Sequence, residues 1–148
     1  MSRIWKRSIL LGLAVPYVVA GAWAVVAPAS WYENFPGRSP RVVSALPPFN
    51  EHLAADTGAG LLATGLMMLV AGAWLRRDAT VVALVGSLAF SVPHAVFPVR
   101  RFGEDLSTVE NVVNSGVLWL AVVLAAAVLF SEAIGRRIGR WTVLDSNQ

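Results

Sequence analysis

The chain contains no cysteine. Disulfide exchange, iron–sulfur ligation and thiolate zinc sites all need cysteine side chains, so the sequence excludes these three kinds of chemistry. The same absence excludes a quinone-linked four-helix thiol oxidoreductase, because enzymes of that type work through paired cysteines.

Charged residues are also scarce. They make up only 14% of the 148 residues, whereas hydrophobic residues make up 56%. Soluble domains carry about 25% charged residues, so this balance indicates a lipid environment. The formal net charge is +3, but the basic residues lie at the ends of apolar runs and form no single basic face. Their placement is typical of membrane anchoring and argues against a nucleic-acid partner.

Four apolar runs dominate the rest of the sequence. Each is about 20 residues long, enough to cross about 30 Å of hydrocarbon as a helix. Helices are expected because a backbone in lipid has to satisfy its own hydrogen bonds. We therefore predict an all-α fold, a single membrane-embedded domain over 1–148 that forms an antiparallel bundle of four transmembrane helices. The predicted spans are 8–27, 52–75, 80–99 and 110–133, with Asn50, Asp78 and Ser107 as the N-caps of the last three.

The basic residues also predict an orientation. Eight of the twelve basic residues would lie on the side of the N-terminus: Arg3, Lys6, Arg7, Arg76, Arg77, Arg136, Arg137 and Arg140. The other four, Arg38, Arg41, Arg100 and Arg101, would lie on the opposite side. Because cytoplasmic loops carry the excess of Lys and Arg, we predict a multi-pass protein of the bacterial cytoplasmic membrane with both termini in the cytoplasm.

The first outer connection, 28–51, is long and rich in proline and aromatic residues. A Ser-Pro pair at 39–40 favours a helix start, and two prolines at 47–48 favour a stop. We predict a short interfacial helix near 40–46 that lies over the outer mouth of the bundle. Connections of this length usually have a function, and the aromatic residues argue against disorder.

Polar residues gather at the outer ends of the last three spans, whereas the inner halves are almost wholly apolar. Alternate helices run in opposite directions, so the three polar sets are expected to lie at similar depth. The sets are Glu51, His52 and Asp56 in span two, Ser87, Ser91 and His94 in span three, and Glu110, Asn111 and Asn114 in span four.

Asp56 and His94 are the candidate catalytic residues of this set. A carboxylate inside hydrocarbon costs at least about 2.5–3.5 kcal/mol, so Asp56 needs a partner, a water-filled pocket or a proton. His94 is the expected partner, and a tuned carboxylate–imidazole pair is suited to acid–base chemistry. Arg100 and Arg101 are then placed to hold an anionic head group.

The other candidate binding residues each have a structural alternative. Helix-end chemistry is the favoured explanation for the acids at 51 and 110. The asparagines can serve as hydrogen-bonding contacts between helices, and the serines can bond back to their own helix. The candidate binding residues besides the two arginines are Glu51, His52, Asn111, Asn114 and Trp119.

Two cofactor hypotheses use the histidines. His52, Asp56 and His94 offer an N/N/O ligand set for a metal ion. The two histidines, the only ones in the chain, could also serve as the axial ligands of one b-type haem. No motif with ligand spacing favours either, so the cofactor stays unknown.

Several short motifs resemble those of a known group of proteins. They are Phe35-Pro36-Gly37, Asn50-Glu51-His52 at the entry to span two, and Pro93-His94-x-x-Phe97 in span three. With the Ala- and Val-rich spans, they make most of the chain similar to small four-helix actinobacterial membrane proteins of the DoxX-like kind. This resemblance implies a membrane location rather than a particular activity.

Three functions are compatible with these residues. The first is a membrane protein whose outward-facing polar pocket binds a small ligand, a lipid head group or a partner. The second is a membrane enzyme that uses an Asp/His pair on a lipid-soluble substrate such as an isoprenoid, a quinone or a sterol-like molecule. The third is ion or proton transport, which the apolar inner halves disfavour. The expected partners are the bilayer and a hydrophobic or amphipathic small molecule, and the oligomeric state stays open.

Overall fold

The computed structural model describes residues 1–37, 39–103 and 105–145, with side chains described through residue 134. Arg38 and the side chains of Arg136, Arg137 and Arg140, which were counted above for orientation, lie outside this description. The described chain is all-helical apart from its turns and one isolated bridge. Its helices are α1 (Arg3–Val26), α2 (Pro28–Asn34), α3 (Glu51–Trp74), α4 (Arg77–Arg100) and α5 (Thr108–Asp145).

Four of these described helices are long and apolar enough to cross a membrane: Arg3–Val26, Glu51–Trp74, Arg77–Arg100 and Thr108–Ile134. The predicted all-α, four-span fold is confirmed. Large apolar side chains such as Val19, Val82 and Leu120 are more than half exposed on the bundle surface. Such a surface suits a lipid environment, since lipid tails solvate these side chains as well as the protein core does.

The helix starts match the predicted caps at two positions out of three. The Asn50 side chain accepts a hydrogen bond from the Leu53 N–H at 3.0 Å, and Ser107 precedes α5 as predicted. The prediction for Asp78 is wrong, because α4 begins at Arg77 and Asp78 lies in the first turn. There the carboxylate pairs with Arg76 at 3.1 Å and makes no N-cap.

The four crossing helices follow one another around a closed ring, with α1 between α3 and α5. The α1–α3 pair is the most closely packed, because glycines let the two backbones meet. A Cβ atom built on Gly21 would lie only 2.4 Å from the Leu62 backbone nitrogen. One built on Gly65 would lie 2.8 Å from the Val18 nitrogen. These distances show the small-residue packing that is typical of membrane helices.

The ring closes around a core to which every crossing helix contributes. Leu10, Met68, Leu84 and Val128 come from α1, α3, α4 and α5, and each is 0% exposed. They belong to one cluster of buried apolar side chains. A second cluster lies beneath α2, where Trp31 packs with small residues of α1 and α3.

The two ends of the bundle differ in structure. We call the end that carries α2, the segment 35–50 and the loop 101–107 the lid end. We call the opposite end, which carries Lys6, Arg7, Arg76 and Arg77, the basic end. At the lid end the short helix of the first outer connection is α2, so the prediction of a helix near 40–46 is wrong.

Residues at both ends of the first outer connection explain why its short helix lies at 28–34 and not at 40–46. Pro28 occupies the first turn of α2, where its missing N–H costs nothing, and Trp31 buries its ring beneath. Residues 42–45 form turns, with one helix-like bond from Ala45 N–H to the Arg41 carbonyl at 3.3 Å. The prolines at 47–48 favour an extended residue before them, which leaves no room for a second turn.

Candidate functional site

A polar pocket of about 350 Å³ opens at the lid end, between the first outer connection and the start of α5. We call it the rim pocket. Its walls carry both signs of charge together with serine hydroxyls. The lining residues are Ser39, Pro40, Arg41 and Ser44 on one side, and Asp105, Leu106 and Glu110 on the other.

The Asn111 side chain holds the wall formed by the loop 101–107. Its Oδ1 accepts a hydrogen bond from the Gly103 N–H at 2.9 Å. Its Nδ2 lies 3.2–3.3 Å from the carbonyl oxygens of Gly103, Leu106 and Ser107. Asn111 is only 3% exposed, so this predicted binding residue uses its polar atoms to fix the loop backbone.

Gly103 connects this loop to the opposite wall. A Cβ atom built on Gly103 would lie 2.8 Å from the Ala45 Cβ atom, and Ala45 is 2% exposed. The close contact requires a glycine at this position. The two walls of the rim pocket are therefore packed together below the opening rather than held apart by solvent.

A capping box fixes the third part of the pocket, at the N-terminus of α5. The Glu110 Oε2 atom accepts hydrogen bonds from the Ser107 N–H and hydroxyl, both at 2.8 Å. The Ser107 Oγ atom accepts in turn from the Glu110 N–H at 3.3 Å. This reciprocal pattern satisfies otherwise unpaired helix-end donors. Neither bond to the carboxylate uses Oε1.

The structure brings together His52 and Asp56 on one face of α3. The His52 Nε2 and Asp56 Oδ2 atoms are 3.3 Å apart, and the side chains are 83% and 62% exposed. His94 instead stacks on Phe90 of its own helix, with ring centroids 5.6 Å apart. The carboxylate–imidazole pair at the lid end is thus His52–Asp56, whereas an Asp56–His94 ion pair was expected.

No group of three His, Asp or Glu side chains within the described residues is arranged to hold a metal ion. The N/N/O set of His52, Asp56 and His94 does not come together as one ligand group, since the imidazole of His94 faces Phe90. Ser91 has its structural alternative, because its hydroxyl donates to the Ser87 carbonyl at 2.7 Å.

The remaining predicted site residues lie outside the rim pocket, and all but Trp119, which is about midway along the span of α5, lie toward the lid end. Glu51 occupies the first turn of α3 and is exposed. Arg100 and Arg101 lie exposed where α4 ends. Asn114 is half-buried on α5, and Trp119 is 38% exposed on the same helix.

Of the three charged residues that line the rim pocket, only Glu110 was among the candidates predicted from the sequence. Arg41 was counted only for orientation, and Asp105 was not singled out. They lie in two different connections with no shared periodicity, so no local pattern joins them. The sequence does place a basic residue in one lid-end connection and an acidic residue in the other, and this was the signal from which their proximity could have been predicted.

A partly buried ion pair at the basic end was also not predicted. Lys6 Nζ lies 2.6 Å from Glu132 Oε1, with side-chain exposures of 19% and 12%. Arg77 donates from Nε to the Glu132 carbonyl oxygen at 3.4 Å. Span one was predicted to begin at residue 8, whereas α1 begins at Arg3 and carries Lys6 into the bundle. The signal in the sequence was Glu132, an acidic residue at the end of the last apolar run, which requires a cationic partner there.

Comparison with protein-family models, with curated proteins and with solved structures finds no match to this chain.

Proposed function

We propose that this multi-pass membrane protein binds a small zwitterionic ligand, such as a lipid head group with a phosphate and an amine, in its rim pocket. The observation that carries the proposal is one polar opening that is lined by Arg41 on one side and by Asp105 and Glu110 on the other. The excess of basic residues at the other end of the bundle supports an outward-facing pocket in the bacterial cytoplasmic membrane.

The lining residues match both charges of such a ligand. A guanidinium group binds phosphate oxygens through two parallel hydrogen bonds, which is a role for Arg41. Asp105 and the Glu110 Oε1 atom then take the ammonium group, while the hydroxyls of Ser39 and Ser44 add neutral donors. A volume of about 350 Å³ is near the lower limit of ligand pockets, so it suits a head group rather than a whole lipid.

The hydrogen bonds in the walls of the rim pocket also support a binding role. Asn111 and the capping box hold Gly103, Leu106 and Ser107 in place before any ligand binds. A pocket that is already ordered loses less conformational entropy when it binds.

Calorimetric titration of the detergent-solubilised protein with phosphoethanolamine tests the proposal. Glycerol phosphate and ethanolamine serve as probes that carry only one of the two charges. We expect phosphoethanolamine to bind more tightly than either. A charge-assisted hydrogen bond contributes about 1.5–3 kcal/mol, so Arg41→Gln and Asp105→Asn should each weaken binding by about tenfold or more.

Arg3→Gln is the matched control, because it removes an exposed cation at the basic end, far from the pocket. Its affinity for phosphoethanolamine should equal that of the wild type. Equal binding of all three probes, or equal affinities of the Arg41→Gln and Arg3→Gln variants, would refute a zwitterion site in the rim pocket.

A second candidate function is a membrane enzyme acting on an isoprenoid, a quinone or a sterol-like molecule. The His52–Asp56 pair supports it, because a carboxylate beside an imidazole is suited to proton transfer. Asp56 stays the proposed acid–base residue, with His52 as its partner and His94 beside Phe90 as a substrate contact. Lipid extracts of cells that express the wild type or Asp56→Asn are compared by mass spectrometry. A lipid product that depends on Asp56 would support the enzyme, and identical extracts would contradict it.

A further inference from the structure

One asparagine of the crossing helices has no hydrogen-bond partner within the part of the chain that the structure describes. Asn114 is half-buried on α5, yet no hydrogen bond joins its amide to another described residue. The amide of Asn111, one turn earlier, bonds instead to the loop 101–107. An amide in a membrane that loses water without gaining a hydrogen bond is costly. The Asn114 amide can therefore bond to a molecule from outside the described chain.

Asn114 lies directly below the rim pocket. It follows Glu110, which lines the pocket, by one helical turn, so the two side chains share one face of α5 and are about 6 Å apart along its axis. Side chains on a helix lean toward the helix N-terminus, and α5 begins at the lid end. The Asn114 side chain thus leans from the membrane toward the pocket.

The depth of Asn114 matches that of the ester groups of a phospholipid. The span Thr108–Ile134 has 27 residues and is about 40 Å long, about 10 Å more than the hydrocarbon layer. About 5 Å at each end then lies among the head groups. Asn114 is about 9 Å from the start of the span, so it lies just inside the hydrocarbon boundary. Ester carbonyls join the head group to the acyl chains at this boundary.

Below Asn114 the same side of α5 is apolar and open, with Val117 61% exposed. Farther along the helix this side faces α1, because Glu132, about five turns from Asn114, pairs with Lys6. At the lid end α1 packs against α3 and α2 instead, as the buried Ala24 shows. The surface at Val117 is therefore left to lipid.

We infer that the ligand of the rim pocket is a whole glycerophospholipid, which Asn114 holds by its ester; this inference rests on the proposed zwitterion site. Asn114 donates from Nδ2 to an acyl ester carbonyl, and the chain attached to that ester leaves over Val117 into the bilayer. The head group alone occupies the pocket, since about 350 Å³ is too small for the chains. A free phosphorylated amine has no ester and uses only the pocket.

A second copy of this chain is a less suitable partner for Asn114. Two parallel copies in one membrane present the same surface to each other at the same depth. A contact between their α5 helices around Asn114 would bring the two Glu110 carboxylates together one turn above. These like charges repel, whereas a zwitterionic phospholipid presents an ammonium group to Glu110.

Calorimetric titration in dodecylmaltoside micelles tests the ester contact with two lipids that differ only in their linkages. Dihexanoyl phosphatidylethanolamine has ester carbonyls, and its di-O-hexyl ether analogue has the same head group and chain length without them. The wild type should bind the ester lipid about threefold to tenfold more tightly, as expected for one hydrogen bond. Asn114→Leu should lose this preference. Comparing the ester-to-ether ratio between variants cancels any difference in how the lipids enter micelles.

Ser115→Ala is the matched control, because it removes a polar group from the next position of α5, about 100° around the helix. The Ser115 hydroxyl is buried without a hydrogen-bond partner among the described residues, so this variant should keep the ester preference. Glycerophosphoethanolamine, which has the head group but no ester, should bind equally to the wild type and to Asn114→Leu.

The outcomes separate this inference from the proposed function. If glycerophosphoethanolamine binds but the wild type does not distinguish ester from ether, or Asn114→Leu keeps the preference, the ester contact is overturned and the zwitterion site stands. If glycerophosphoethanolamine does not bind, the zwitterion site fails and this inference fails with it. A dimer that Asn114→Leu converts to a monomer in light scattering, without an ester preference, would show that Asn114 contacts a second copy instead.

Discussion

Replacing Gly21 by alanine tests the close packing of α1 on α3. The new Cβ atom would lie 2.4 Å from the Leu62 nitrogen and 2.7 Å from the Gly58 carbonyl oxygen. Both are backbone atoms of α3, so neither can move away by changing a rotamer. The two helices have to separate, and the contacts on both sides of Gly21 are lost with them.

The expected magnitude combines two opposing effects. Overpacking a well-packed site costs about 1–3 kcal/mol. Alanine regains up to about 1 kcal/mol in helix propensity. Gly21→Ala should therefore lower the free energy of unfolding by up to about 2 kcal/mol. Gly12 is the matched control on the same helix, because a Cβ atom there meets nothing within 4 Å.

Unfolding is measured by far-UV circular dichroism during titration of dodecylmaltoside micelles with SDS. Gly12→Ala should be neutral or slightly stabilising, whereas Gly21→Ala should unfold at a lower SDS fraction. Equal midpoints for the two variants would refute the close α1–α3 contact.

Three other predictions concern the loop wall, the basic end and the start of α5. Asn111→Ala should cost about 1–3 kcal/mol by leaving buried loop groups unpaired, and faster hydrogen exchange in 101–107 would report it; an equal effect of Asn114→Ala would contradict this role. Lys6→Glu should lower the free energy of unfolding by about 1–3 kcal/mol, because the ion pair is only partly buried, and adding Glu132→Lys should restore much of the loss; a swapped pair no better than the single variant in SDS titration would refute the ion pair. Ser107→Ala should lower the free energy of unfolding by about 1 kcal/mol through loss of the cap, and unchanged SDS midpoints would contradict that.

The crossing helices could be predicted from the sequence because lipid imposes a local rule. A backbone in hydrocarbon needs continuous helical hydrogen bonds and apolar side chains, so the signal lies within each run. Asn50 and Ser107 were predictable for the same reason, since a cap bonds to a residue only three positions away.

The lid depends on contacts between distant residues and was predicted only in outline. Trp31 selects the position of α2 by packing against α1 and α3, which no local pattern around residues 28–34 reveals. The bond between Lys6 and Glu132 joins the first and last crossing helices. This ion pair can be predicted only when α1 is known to begin at Arg3 and so to include Lys6.

Which polar side chains contact each other could not be predicted from the sequence either. Their common depth follows from helix lengths, but their pairing depends on how each helix is rotated. Asp56 has His52 one turn away on its own helix, so this pair forms without any constraint from α4. The rim pocket forms only when two separate connections fold against each other, and only then do Arg41 and Asp105 line one opening.

The rim pocket can be tested directly because the chain has no native cysteine. Ser39→Cys places a single thiol in the pocket wall, and Ser2→Cys places one at the basic end. In intact spheroplasts, a membrane-impermeant maleimide should label residue 39 but not residue 2, and phosphoethanolamine should slow labelling more than ethanolamine does. Labelling of residue 39 only after permeabilisation, or at a rate that phosphoethanolamine leaves unchanged, would contradict an outward-facing zwitterion site.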